Sequence, residues 1–159
     1  MVIYIDFINL EGRDAMIPEE ILGYSFKNEY YLNRALTRKA YANELKQQNK
    51  ECEDQEIYRT LGDAVLKLAL VDLLIKSGCN TRDEITSKKK DLEREEGLAE
   101  IGRQLGIGPA IKLGVGEKKQ RADEEPKVLA ETLEALIAAI YYDGGFDAAK
   151  AVIGKWFRI

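Results

Sequence analysis

Residues 54–77 read DQEIYRTLGDAVLKLALVDLLIKS, and this stretch decides the fold. Ile57, Leu61, Ala64, Leu68, Val71 and Ile75 recur at spacings of four and three, which lays an apolar stripe along a long helix. Glu56, Arg59 and Asp63 stand at i, i+3 and i+7 and share another face of it. From Leu61 to Ile75 the only charged residues are Asp63, Lys67 and Asp72, so the helix is expected to lie buried around its acid. Ser77-Gly78 marks its end.

Outward from this helix the chain keeps the same period. Upstream, Pro18-Glu19-Glu20 opens a short helix that Gly23 closes, and two more are expected from Glu29 to Leu36 and from Arg38 to about Gln48. Downstream, one helix is expected from Thr86 to Leu105. Gly106 to Arg121, with four glycines, three lysines and one arginine, reads mostly as loop. Pro126 then opens a helix through Tyr142, Gly144-Gly145 stops it, and a last helix runs from about Asp147 to Trp156. Trp156 and Phe157 read as core or interface anchors. Residues 1–16 carry no helical stripe and form an N-terminal extension. Residues 17–159 form one all-α domain of several packed helices, with no internal repeat.

Composition narrows the chemistry. Of 159 residues 45% are apolar and 33% charged, ordinary for a helix-rich globular protein with one core. No apolar run is long enough to cross a bilayer, since Asp72 interrupts the longest, and Met1 to Leu10 lacks a basic leader; a cytoplasmic location is expected. Two cysteines, Cys52 and Cys79, are too few for a disulfide framework or a structural zinc site. There is no histidine, which excludes Ser-His-Asp and Cys-His catalysis and His-ligated zinc. Hydrolytic chemistry must therefore rest on carboxylates, lysines or hydroxyls. A net charge of −4 is a poor footprint for a nucleic-acid binder, unless a metal neutralises clustered acids or one face is locally basic.

Glu131 and Glu134 share a face at i, i+3 on the helix that becomes wholly apolar from Ala135 to Ile140. Carboxylates in such a setting are costly unless a cation, an arginine or hydrogen-bond donors balance them. Two buried helices presenting acids could supply oxygen ligands to a hard cation such as Mg²⁺. Carboxylate-held metal suits phosphodiester cleavage. Solvated positions or structural salt bridges would satisfy the same spacing.

At these residues the chain resembles the ribonuclease III family. Leu61-Gly62-Asp63-Ala64-Val65-Leu66 is similar to the family's signature helix. Ala130-Glu131-Thr132-Leu133-Glu134-Ala135-Leu136-Ile137, followed by Asp143-Gly144-Gly145, is similar to its later motif. Leu22 to Asn28, Ala35-Leu36-Thr37, Tyr41 to Glu44 and Leu113 to Glu117 match in the same order. The resemblance implies an all-α domain that forms a homodimer and cuts double-stranded or structured RNA with Mg²⁺, for which Mn²⁺ can substitute. It implies Asp63 and Glu134 as catalytic and metal-binding acids, Glu131 as a further metal ligand, and Glu56 and Asp83 as supporting acids. Arg59 stands where the family has a ligating carboxylate, and arginine cannot donate to a cation. It could instead pair with Asp63 or Glu131. Thr60 replaces a bulky residue that packs into the partner subunit. The runner-up reading is accordingly a silent member that binds RNA or scaffolds a ribonucleoprotein.

Between Thr86 and Arg121 nine basic residues face six acidic ones. Lys118, Lys119 and Arg121 lie beside the acidic helix and are the candidate phosphate contacts, whereas Lys88 to Lys90 splay around a helix and read as a solvated face. The helical domain ends near Ile159, an architecture similar to Mini-III, which acts on ribosomal RNA precursors. RNA affinity is then expected to come from the domain itself, doubled by dimerisation, or from a partner.

Overall fold

The computed structural model describes residues 17–159, and the expected N-terminal extension lies outside them. Eight helices follow in order: α1 (Glu19–Leu22), α2 (Glu29–Ala35), α3 (Lys39–Gln47), α4 (Glu56–Lys76), α5 (Arg82–Leu92), α6 (Glu95–Gln104), α7 (Val115–Lys119) and α8 (Pro126–Phe157). Short 3₁₀ turns at Gly108–Ala110 and Ala122–Glu124 complete the described elements. No described residue belongs to a strand, so the all-α expectation holds. None of the described helices is long and apolar enough to cross a membrane.

Helix α8 is the axle. Val128 to Leu133 and Ala135 to Ile140 are buried on every side, as expected of a helix apolar all round. Helices α2, α4 and α6 pack around it. Alanines at 130, 135, 138 and 139 keep its girth small. Gly145, at φ 85°, interrupts it where Gly144-Gly145 was expected to stop a helix. Just before that break, Asp143 accepts hydrogen bonds from the Tyr24 hydroxyl (2.7 Å) and from the backbone amides of Lys27 and Asn28 (2.9 and 3.0 Å). Asn28 in turn caps α2 by accepting from the Tyr30 amide. Trp156 donates its indole N–H to the Leu22 carbonyl (2.9 Å) and packs against the core.

The structure corrects three expectations. The core-facing side of α4 is Tyr58, Gly62, Val65, Leu66, Ala69, Leu70 and Leu74, rather than the stripe first picked out. Ile57, Leu68 and Ile75 from that stripe are 61%, 59% and 53% exposed. The helix has two apolar faces, and periodicity alone cannot say which one meets the core. Second, the single helix expected over 86–105 is two. Thr81 caps α5 by accepting from the Glu84 amide (3.2 Å), and an extended Arg94 separates it from α6. The break re-aims the chain, so that Leu98, Ala99 and Gly102 pack inward while α5 buries nothing fully. Third, the expected loop 106–121 contains α7. A parallel bridge between Thr37 and Lys112 stitches this segment to the start of α3, with the Arg38 amide donating to the Lys112 carbonyl (3.1 Å).

Candidate active site

The acids gather where α4 and α8 cross. Gly62 makes the crossing close: a Cβ there would collide with the backbone carbonyl of Glu134. The glycine between Leu61 and Asp63 thus lets the two acidic helices touch, which carries Asp63 up to Glu134. Glu134 is half-buried, and no described side chain donates a hydrogen bond to it. Burial, reinforced by the charges of Asp63 and Glu131 and opposed by Arg59 and Lys67, pushes its carboxyl up to about 7. Lys67, one helical turn after Asp63, holds the Asp63 carboxylate at 2.8 Å in a largely solvated pair.

Glu131 has a different environment. It is only 8% exposed, and both carboxylate oxygens are taken: Oε1 by Arg59 (2.8 Å) and Oε2 by Arg38 (2.8 Å). Arg59 also reaches Glu56 on its own helix (3.0 Å), while its buried Nε has no partner. Arg38 also donates to Glu117 of α7 (3.1 and 3.0 Å) and to Gln55 (3.3 Å). The Gln55 side chain is fully buried and donates to the Ala35 carbonyl (2.7 Å) and to Thr132 (3.3 Å). Two arginines and three glutamates, drawn from α4, α7, α8 and the segment before α3, therefore form one partly buried network around Glu131.

The sequence-selected residues divide accordingly. Asp63 and Glu134 come together, and Glu131 and Glu56 join them through Arg59. Asp83 lies exposed in the first turn of α5 and shares no hydrogen bond or ion pair with the centre among the described residues. Lys118 and Lys119 are exposed on α7 with no ion pair among the described residues, whereas Arg121 is engaged by Glu124 (2.6 Å) and Asp123 (3.6 Å). Arg38, Gln55 and Glu117 escaped the sequence reading. Arg38 and Glu117 are separated by 79 positions, and only their places beside two matched segments hinted at a role.

No three acids or thiols among the described residues converge where a metal ion could be held. The donor set nevertheless fits one hard cation. Asp63 and Glu134 are the acids no arginine pairs with, and only a solvated lysine stands against them. Glu131 cannot join without losing an arginine.

Comparison with known proteins places this geometry in a family. Residues 28–158 match the family model described as ribonuclease-III-like. The chain is 36% identical to ribonuclease 3 of Bdellovibrio bacteriovorus over 148 residues, covering 92% of this chain and 61% of that protein. It is 35% identical to ribonuclease 3 of Syntrophotalea carbinolica over 150 residues, covering 93% and 63%. A solved nuclease domain of ribonuclease III from Campylobacter jejuni, described for flexibility in the region involved in its dimer formation, superposes with a TM-score of 0.76 at 32% identity, covering 89% of this chain and 96% of that one. The chain belongs to the ribonuclease III family. It spans about six tenths of the length of the curated relatives it matches.

Proposed function

We propose that this chain is an RNA endonuclease domain that hydrolyses phosphodiester bonds in double-stranded or structured RNA, with one divalent cation (Mg²⁺, or Mn²⁺ in its place) held by Asp63 and Glu134. The observation that carries the reading is the close crossing of the two acidic helices at Gly62, which brings the charge of Asp63 to bear on Glu134, a carboxyl driven to about 7 chiefly by burial. A divalent cation held by Asp63 and Glu134 would supply positive charge for the phosphate, the attacking water and the leaving oxygen. Glu134 would have to be ionised to hold it. Lys67 releases Asp63, at a cost of less than about 1 kcal/mol for so exposed a pair, and turns its ammonium to the phosphate. Glu131, fixed between two arginines, positions α8 rather than binding metal. Lys118 and Lys119 are free to hold backbone phosphates beside the centre, and precursors of ribosomal RNA in the cytoplasm are one substrate class to try.

The exposed α4 stripe supports a homodimer. Ile57, Leu61, Leu68, Val71 and Ile75 form an apolar ridge, and Thr60 lies on it. A second copy would bury this ridge and set two acid centres on one duplex.

Cleavage of a long RNA duplex tests the reading: Mg²⁺-dependent cutting by the wild type, lost in Asp63→Asn and Glu134→Gln, is expected. The pairing of Arg59 with Glu131 favours a second reading, a duplex-binding scaffold that does not cut. Duplex binding with no cutting at any Mg²⁺ or Mn²⁺ concentration would select it.

A further inference from the structure

We infer that Arg59 is a built-in cation of this centre: its guanidinium occupies a second cationic position, so the site takes one exchangeable metal ion, and its charge serves the scissile phosphate. The inference rests on the endonuclease reading above. Four carboxylates, Glu56, Asp63, Glu131 and Glu134, lie on the two helices that cross at Gly62, and a phosphodiester would bring a further negative charge. Two of the four are already matched. Arg59 spans Glu56 and Glu131, and Arg38 closes the other oxygen of Glu131, so Glu131 has no oxygen free for a metal and Glu56 is drawn to the guanidinium. Asp63 and Glu134 remain, a donor set for a single ion.

Arg59 also borders the working half of the centre: its partner Glu131, 2.8 Å away, stands one helical turn before Glu134 on α8. The side chain keeps 29% exposure, and each terminal nitrogen spends one N–H on an acid. The remaining terminal N–H groups are available to a phosphate oxygen, the fork geometry in which arginine excels. A mere blocker of the site would have to lie across Asp63 and Glu134. Instead it is tied to the two acids behind them.

Manganese titration of the full chain, counted by electron paramagnetic resonance, together with duplex cleavage, tests this. The wild type should bind one Mn²⁺ per chain. Arg59→Gln should still bind one, roughly tenfold more tightly because a neighbouring positive charge is gone, yet cut at least roughly tenfold more slowly. Arg59→Glu should bind two. Two ions in the wild type would overturn the inference alone, as would an Arg59→Gln protein with unchanged or weaker Mn²⁺ affinity, or one that cuts faster. No bound Mn²⁺ in either wild type or Arg59→Gln would overturn the endonuclease reading itself, and this inference with it. Should Arg59→Glu fail to fold by circular dichroism, the paired affinity and rate of Arg59→Gln decide the matter.

Discussion

Glu134 ties stability to pH in a direction opposite to most carboxylates. Its folded-state value, about 7, lies above the ordinary 4.5. Between those values the folded chain binds more protons than the unfolded one, so stability is highest below about 4.5 for this group and falls as pH rises through 7. Glu134→Gln should therefore raise the melting temperature at pH 8, by an amount on the order of 1 kcal/mol after solvent screening, and change little at pH 5. Equal melting shifts at both pH values would contradict this account. Mg²⁺ should raise the melting temperature of the wild type at pH 8 and not that of Glu134→Gln. Gly62 makes a separate claim, since any side chain there meets the Glu134 carbonyl. Gly62→Ala should cost about 3 kcal/mol in urea denaturation, near the top of the range for overpacking. These residues were legible: a glycine and an acid adjacent on one helix, and two acids three apart on another. The pairing of Arg59 was narrowed to two candidates, and the structure chose Glu131 because it is the deeper and more costly charge to leave alone.

At the scale of helices, sequence periodicity found α1, α2, α3, α4 and α8 within a residue or two, and it read Gly144-Gly145 correctly as an interruption. It assigned the wrong face of α4 to the core. Both faces are apolar, and only the position of α8 distinguishes them. The outward face makes its own prediction. Leu68→Arg places a charge in the middle of the ridge, at a residue 59% exposed, and should abolish the proposed dimerisation in light scattering while leaving the far-ultraviolet circular dichroism unchanged. A monomeric wild type at tens of micromolar would remove the ridge from consideration. The division between α5 and α6 was illegible for another reason. Charged residues crowd the stretch from Arg82 to Glu96, with no glycine or proline to mark a break; the break lets α6 bury Leu98, Ala99 and Gly102 while α5 buries no residue fully.

Across the whole molecule, the negative total charge is set against the proposed nucleic-acid substrate, and part of it is offset at the centre, where Arg38 and Arg59 pair with Glu56, Glu117 and Glu131. This network also joins four parts of the chain, which pairwise spacing could not reveal. Arg38→Met would leave Glu131 and Glu117 each short of a partner, and should cost about 3–5 kcal/mol. Glu117→Gln, nearer the surface, should cost less and loosen α7, read as faster amide exchange over residues 114–120. Helix α8 holds a last consequence. It is the core's axle, and it follows every helix that packs on it in chain order; Asp143, which secures the amides of Lys27 and Asn28, is synthesised 115 residues after the second of them. Helices α1 to α6 must leave the exit tunnel with their apolar faces unmatched, for several seconds at about 5–20 residues per second. Native docking of these helices waits for α8, so chains truncated before residue 126 should be cleaved readily by protease while the full chain resists.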